Sequence, residues 1–190
     1  MDSSLLKSRS PYKRGADWGA IFGIYLSVLF FATSYSVSNP WCALASLLLI
    51  VGVPVCIFIM LRRSYVSDNG TTIFSSLWME GIAIFFFGGL IASIVAMVYM
   101  RWIAPTFFED RIDLLIEMYD SMDGMPRAKE AAEMLHAARD QKLLPKPVEL
   151  TVDMLWLIVF SGSILSMVMS WLVQLIKVKG AVHGSGNKSR

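Results

Sequence analysis

Four long apolar runs alternate with shorter polar segments along the chain. Trp18–Val37, Trp41–Leu61, Gly81–Met100 and Met154–Ile176 are each 20 to 23 residues long and contain no Asp, Glu, Lys or Arg. An α-helix needs about 20 apolar residues to cross the hydrocarbon core of a bilayer. Four such runs in 190 residues leave little polar surface for a soluble protein. The pattern predicts an all-α polytopic protein with four transmembrane helices, whose first partner is the lipid bilayer.

The polar segment between the third and fourth runs carries a helical pattern of its own. Apolar side chains recur there at steps of three and four residues, first at Phe108, Ile112, Leu115, Tyr119 and Met122, and then as an alanine stripe that follows Pro126. This spacing is typical of amphipathic helices. It predicts an insert of two helices, with Asp123-Gly124 ending the first.

These patterns divide the chain into five segments. The predicted order is a flexible tail, three transmembrane helices, the helical insert, a fourth transmembrane helix and a second flexible tail, with bounds at 1–14, 15–104, 105–147, 148–178 and 179–190. A secretory signal peptide is an alternative interpretation of the first run, which is long for a signal core.

The distribution of charge predicts how the chain is oriented. Lys and Arg cluster before the first run, after the second and after the fourth, whereas residues 102–153 hold six bases against eleven acids. Positive residues stay on the cytoplasmic side during insertion. We therefore expect both termini to be cytoplasmic, in a bacterial inner membrane, and the insert to be extracytoplasmic.

Small residues at helical spacing predict where the transmembrane helices pack. In lipid, such residues let two helix backbones approach closely. Three stripes have this spacing: Gly15, Gly19, Gly23 and Ser27 in the first helix, Gly88, Ala92 and Ala96 in the third, and Ser163, Ser166 and Ser170 in the fourth. The first two stripes are natural partners within one chain, and a homo-oligomer or a membrane-enzyme partner is the alternative.

A few polar residues are candidates for a functional site. Glu80 adjoins the third apolar run, and ionisable groups in membrane helices are functional candidates by default. A salt bridge to Arg62 or Arg63 is the competing explanation, and Gln174 could hydrogen-bond to Glu80. The remaining candidates are interfacial residues expected at helix ends, where Arg101 could pair with Asp153: Asp17, Arg101 and Asp153.

The sequence gives little support for a metal site, a catalytic site or a nucleic-acid interface. His136 and His183 are the only histidines, and Glu133 with His136 supplies too few ligands. No glycine-rich phosphate loop, nucleophile elbow or Ser/His/Asp arrangement is present, and no basic domain favours nucleic acid. We expect no cofactor, no catalytic residue and no nucleic-acid partner.

Packing and turn residues give the chain a family resemblance over residues 11–178. Tyr12 and Gly15 before the first span, Tyr99, Pro105 and Phe107 at the exit of the glycine-containing third span, and the helical insert are the matching features. The chain resembles the small four-span bacterial family catalogued as domain of unknown function number 4199. The resemblance implies an inner-membrane protein of unknown function. It also suggests an association with membrane-bound family-2 glycosyltransferases.

Three functional hypotheses follow. The favoured one is a non-enzymatic accessory or interaction subunit of a bacterial envelope complex, because the small-residue stripes suit helix association. The alternative is a small transporter or channel subunit that acts as an oligomer, with Glu80 as its polar group. A lipid-modifying enzyme is the third, and it lacks an acid, base or nucleophile arrangement.

Overall fold

A computed structural model describes residues 11–37, 39–122, 126–140 and 146–176, and within these residues the fold is all-α. It has six α-helices: α1 (Pro11–Tyr35), α2 (Pro40–Ser67), α3 (Phe74–Val98), α4 (Phe107–Asp120), α5 (Pro126–Asp140) and α6 (Pro147–Leu175). Four helical segments are long and apolar enough to cross a membrane, namely Tyr12–Tyr35, Pro40–Ser67, Phe74–Ile103 and Val148–Leu175. The all-α class and the four candidate spans are thereby confirmed.

The helices extend beyond the apolar runs that predict them. α1 begins at Pro11, inside the segment predicted as a flexible tail, and α6 begins at Pro147, seven residues before its apolar run and next to the predicted bound at 148. A bilayer-length apolar run measures the depth of the hydrocarbon core, whereas a helix continues through the interface wherever its residues allow it. Residues 1–10, the predicted turn at Asp123-Gly124 and the predicted tail at 179–190 lie outside the described residues.

Local signals fix the ends of α2 and the start of α6. Asn39 caps α2, since its side chain accepts a hydrogen bond from the backbone N–H of Trp41 at 3.1 Å. After α2 the backbone turns through the left-handed region at Asn69 (φ 53°) and Gly70 (φ 74°), residue types that tolerate this conformation. At the start of α6, the Glu149 carboxylate accepts from the Lys146 backbone N–H at 3.0 Å.

A π-helical turn, Tyr99–Ile103, follows α3 directly. The Ala104 N–H donates to the Tyr99 carbonyl at 2.9 Å, which closes the wide turn before Pro105 stops the helix. The sequence predicts the stop near Ala104, and it carries no signal for the wider turn.

The chain folds as two units. The first unit is Met1–Ala92 with Leu155–Arg190, and the second unit is Ser93–Met154. In the first unit α3 is the most enclosed helix: half of its apolar window is buried, against 11 % for α6. The reason is that α3 packs against neighbours on two of its sides.

On one side α3 packs against α1 through glycine. A Cβ atom added to Gly15 would lie 2.5 Å from Ala83 Cβ, one on Gly19 would lie 2.7 Å from Phe87 Cβ, and one on Gly23 would lie 2.8 Å from Ile91 Cβ. Each step of four residues along α1 is matched by four along α3, so the two helices run parallel in a fixed register.

The backbones of α1 and α3 also approach closely at Gly88. A Cβ atom added there would lie 3.2 Å from the Gly19 carbonyl oxygen and 3.3 Å from the Gly23 nitrogen. Gly88 of the third-helix stripe therefore packs against Gly19 and Gly23 of the first within one chain, and the other contacts of the α1 glycines are with Ala83, Phe87 and Ile91. Ser27 donates to the Gly23 carbonyl of its own helix at 2.8 Å, and Ala92 is fully buried.

On another side α3 packs against α6. A Cβ atom added to Gly81 would lie 2.6 Å from Ser166 Cβ, and Gly162 lies directly against the Phe85 ring. Trp78 Nε1 donates to the Ser163 carbonyl at 3.1 Å. Ser166 and Ser170 are fully buried. Two members of the serine stripe of α6 thus lie in the interior of the first unit, and the third, Ser163, is half-buried.

In the second unit α4 and α5 pack on each other. Ile112 and Ile116 of α4 and Ala128 and Ala132 of α5 are buried. The predicted apolar stripe of α4 is wrong at Leu115, which is 41 % exposed, because the buried stripe runs through Ile116 instead. Ala96, the last residue of the third-helix stripe, also belongs to this unit and is fully buried.

Candidate functional site

A part-buried ion pair joins the start of α1 to the end of α2. Arg14 Nη1 donates to both carboxylate oxygens of Asp68, at 2.8 and 2.7 Å. The two side chains are 13 % and 22 % exposed. The bonding is charge-assisted, which makes it stronger than a neutral hydrogen bond.

Glu80 of α3 lies against the same arginine. Its side chain is fully buried, Ser64 donates a hydrogen bond to Oε1, and Arg14 Nη2 lies 3.5 Å from Oε2. We call Arg14, Ser64, Asp68 and Glu80 the charged cluster. It ties together α1, α3 and the C-terminal end of α2.

One guanidinium faces two carboxylates in the charged cluster. Burial by itself would raise the pKa of the Asp68 carboxyl, but hydrogen bonds from Arg14 and Thr72 outweigh it and hold the pKa below its usual value. Thr72 Oγ1 donates to Asp68 Oδ2 at 2.7 Å. Asp68 is therefore the carboxylate to which Arg14 is chiefly bound, and Glu80 shares the same cation at a longer distance.

The predicted partners of Glu80 are wrong. Arg62 and Arg63 are exposed, and their guanidinium carbons lie 5.9 Å from the ring centroids of Phe58 and Trp18. Gln174 Nε2 donates to the Thr72 carbonyl at 3.2 Å rather than to Glu80. The reason is geometric. The glycine contact between α1 and α3 places Arg14 beside Glu80, so the Glu80 carboxylate pairs with Arg14 rather than with Arg62 or Arg63.

Of the three interfacial candidates, Arg101 lies at a helix end as predicted, in the last turn of the helical segment Phe74–Ile103, whereas Asp17 and Asp153 do not. Because α1 begins at Pro11 and α6 at Pro147, Asp17 and Asp153 fall in the second turns of their helices, and Arg101 lies in the π-helical turn. All three side chains are exposed. Among the described residues, no ion pair joins Arg101 to Asp153.

A cleft of about 390 Å³ opens beside the charged cluster, between α1 and α2. α1 contributes Arg14, Asp17, Trp18 and Ile21, and α2 contributes Arg63, Ser64 and Ser67. We call this the α1–α2 cleft. It combines charged groups, hydroxyls and an apolar end along one face of each helix.

Comparison with known proteins decides the family. A family model described as "Protein of unknown function (DUF4199)" matches residues 17–174, most of the chain. The chain belongs to the DUF4199 family. The resemblance seen in the sequence is thereby confirmed, and it extends over the four candidate spans. Searches of curated proteins and of solved structures return no match.

The described part of this DUF4199 chain holds no group of three or more His, Cys, Asp and Glu side chains placed to bind a metal ion. His136 Nε2 lies 3.5 Å from Asp120 Oδ2 on the neighbouring helix. His183 lies outside the described residues.

Three cluster members, Arg14, Ser64 and Asp68, are absent from the sequence-based candidates. Arg14 precedes the first apolar run and has the pattern of a basic tail, and Ser64 follows two arginines. The signal that could have found Arg14 is the match of the α1 glycine spacing to the α3 spacing, because that register places residue 14 level with Glu80.

Proposed function

We propose that this DUF4199 protein is a non-enzymatic interaction subunit of a bacterial inner-membrane complex, with both termini cytoplasmic. In this proposal α4 and α5 lie on the extracytoplasmic side and dock on a partner. The positive-inside distribution of Lys and Arg supports the orientation.

The exposed apolar face of α4 is the observation that carries the proposal. Leu114, Leu115 and Met118 are 42 %, 41 % and 44 % exposed, although Ile112 and Ile116 already bury the other side of the helix against α5. A helix that has covered one apolar side and still presents a second one has surface left for a partner. Methionine suits such surfaces because its side chain adapts its shape.

The small-residue stripes no longer support a partner. Gly15, Gly19 and Gly23 contact α3 of the same chain, and Ser166 contacts Gly81. Contact between chains is therefore expected at α4, not in the glycine groove.

In-cell photo-crosslinking tests the proposal. A photoreactive amino acid at Met118 should give a discrete protein adduct on irradiation, whereas the same residue at Glu109, an exposed acidic position of α4, should give far less. Mass spectrometry of the adduct names the partner. Met118→Glu should abolish copurification of that partner in mild detergent while leaving membrane insertion intact.

The crosslinking has two outcomes that contradict the accessory role. Adducts only to lipid would make α4 an interfacial helix. Adducts only to a second copy of the chain would make it a homo-oligomer contact.

A small transporter or channel subunit is the second candidate, and the burial of Glu80 favours it. A fully buried carboxylate on a membrane helix, bonded to Ser64 and Arg14, is the kind of group that handles protons or ions. Proteoliposomes with an entrapped pH-sensitive dye should then show proton flux that Glu80→Gln abolishes. Flux equal to that of empty liposomes, or unchanged by Glu80→Gln, counts against this candidate.

A further inference from the structure

Ser64 connects the α1–α2 cleft to the buried Glu80 carboxylate. Glu80 is fully buried and is not among the residues that line the cleft. Ser64 does line the cleft, with 3 % of its surface exposed, and its hydroxyl donates a hydrogen bond to Glu80 Oε1. A single hydroxyl group therefore separates the cleft from a carboxylate on a membrane helix.

The Ser64 hydroxyl can carry a proton between the cleft and Glu80, whereas Arg14 cannot. Arg14 also lines the cleft, and its Nη2 lies 3.5 Å from Glu80 Oε2, but a guanidinium keeps its protons in proteins. A hydroxyl both donates and accepts hydrogen bonds. Among the described residues, Ser64 is thus the one group placed to relay a proton to this carboxylate.

The cleft is large and polar enough to hold water. Its volume of about 390 Å³ is several times the roughly 30 Å³ that one water molecule occupies in the liquid. The exposed side chains of Arg63 and Ser67 line it beside Ser64. Guanidinium and hydroxyl groups supply the hydrogen bonds that water in a cleft requires.

The charge of the cluster favours a proton on Glu80. With all groups ionised, one guanidinium faces two carboxylates, so the cluster carries one excess negative charge. Asp68 binds Arg14 through both of its carboxylate oxygens, whereas Glu80 Oε2 forms no hydrogen bond with the described residues. A proton on Glu80 therefore neutralises the cluster and leaves the Arg14–Asp68 pair intact.

Few other titratable groups are placed to affect Glu80. The charged groups that face it are Arg14 of α1 and Asp68 at the end of α2. Glu80 is the only titratable residue of α3, and α6 has none after Asp153. A proton bound in the cluster is thus assigned to one carboxylate.

We propose that Glu80 is a proton-binding site that exchanges with water in the α1–α2 cleft through the Ser64 hydroxyl. A hydronium ion in the cleft gives a proton to Ser64 Oγ as the Ser64 hydroxyl proton passes to Glu80 Oε1. The hydronium becomes water, the hydroxyl is restored and the carboxylate becomes a neutral acid. The inference rests on the same carboxylate as the transporter candidate and gives that candidate its ion and its access route, but it requires no net transport.

Labelling with dicyclohexylcarbodiimide tests the site on the full chain in sealed vesicles of one orientation. This apolar reagent adds to protonated carboxyl groups in membranes and leaves a stable N-acylurea, which peptide mass spectrometry should locate at Glu80. Glu80→Gln should remove the adduct. A higher pH on the side where α1 begins should lower the labelling about tenfold per pH unit once Glu80 ionises, and a higher pH on the opposite side should not.

Infrared spectroscopy after a pH jump on that side tests the relay. The C=O band of protonated Glu80, identified by its absence in Glu80→Gln, should form about tenfold more slowly in Ser64→Ala, and Ser64→Thr, which keeps the hydroxyl, should restore the rate. Ser67→Ala is the matched control. Ser67 also lines the cleft, but it is exposed and forms no hydrogen bond to Glu80 among the described residues.

The results separate this inference from the transporter candidate. Absence of both the adduct and the carboxylic acid band at every pH would make Glu80 a permanently ionised member of the cluster and overturn the inference. Control of labelling by the opposite side would exclude the cleft, and equal rates in Ser64→Ala and the wild type would exclude Ser64. Labelling that follows the pH on the α1 side without any proton flux would support the proton site and reject the transporter.

Discussion

The helix pairs α1–α3 and α4–α5 both combine small residues with ion pairs, but the ion pairs differ in their exposure to water. α1 and α3 approach through glycine, and α4 and α5 pack on each other with buried isoleucine and alanine side chains. Each pair is also joined to charged neighbours: Arg14 binds Asp68 and Glu80 in the first unit, and Arg139 binds Asp113 in the second at 2.6 Å. The pairs differ in how much water reaches the charges.

That difference sets how much each ion pair contributes. The Arg14 and Asp68 side chains are 13 % and 22 % exposed, whereas those of Arg139 and Asp113 are 53 % and 45 % exposed. Water screens an exposed pair, so it contributes about 0–1 kcal/mol. A buried carboxylate that loses its cation has no such compensation. A short ion-pair distance is therefore a poor guide to stabilisation unless burial is considered with it.

Removal of the buried cation should have the largest effect. Arg14→Ala leaves Asp68 and Glu80 without their shared guanidinium and should lower the free energy of unfolding by about 3 kcal/mol. Thermal unfolding in detergent measures it. Lys13→Ala, at the exposed neighbouring position, is the control and should change little. If Arg14→Ala and Lys13→Ala unfold at the same temperature, Arg14 does not stabilise the interior of the protein.

Filling the glycine contact should come next. Gly19→Leu inserts a side chain where even a Cβ atom would lie 2.7 Å from Phe87, and we expect a loss of about 2 kcal/mol. Ile24→Leu is the matched control, since Ile24 is 65 % exposed on the same helix. If the Gly19→Leu variant instead unfolds at the wild-type temperature and loses a copurifying partner, the glycine face of α1 packs against another chain rather than against α3.

Acid should weaken the first unit through Asp68. Its folded pKa lies below the ordinary value of 3.8, so its contribution is present above that value and is lost as the pH falls through the folded pKa. The unfolding temperature of the wild type should fall in this range, and that of Asp68→Asn should fall less. Parallel curves for the two proteins would exclude Asp68 as the cause.

The smallest effect is expected at the exposed pair. Arg139→Ala should change the free energy of unfolding by about 0.5 kcal/mol or less, and added salt should remove even that difference. A loss as large as that for Arg14→Ala would show that the α4–α5 pair is shielded from water in the membrane-bound protein.

The sequence predicts much of the fold because the bilayer imposes a simple length rule. Each of the four apolar runs forms the main part of a helix, and the turn signals at Asn39-Pro40 and Pro105 lie where helices begin or end. The apolar runs do not mark the helix starts: α1 begins seven residues before Trp18, and α6 begins seven before Met154, next to the predicted bound at 148. Hydropathy identifies the part of a helix that crosses the hydrocarbon core. It carries no information on where the helix begins in the interface.

The candidate site is harder to predict. Glu80 is recognisable from its position, but its partners depend on which helices touch and in what register. Arg14 and Glu80 are separated in sequence by the whole of α2, and Arg14 reaches Glu80 only because glycine lets α1 and α3 approach closely. The nearby Arg62 and Arg63 are better candidates by sequence distance, yet their side chains are exposed.

A pair of double-mutant cycles tests the contrast between the buried and the exposed charges most directly. One cycle combines Arg14→Ala with Asp68→Ala, and the other combines Arg139→Ala with Asp113→Ala, each followed by unfolding in detergent. Burial predicts a coupling energy of about 2 kcal/mol for Arg14–Asp68 and below about 0.5 kcal/mol for Arg139–Asp113. Equal coupling energies in the two cycles would contradict the account.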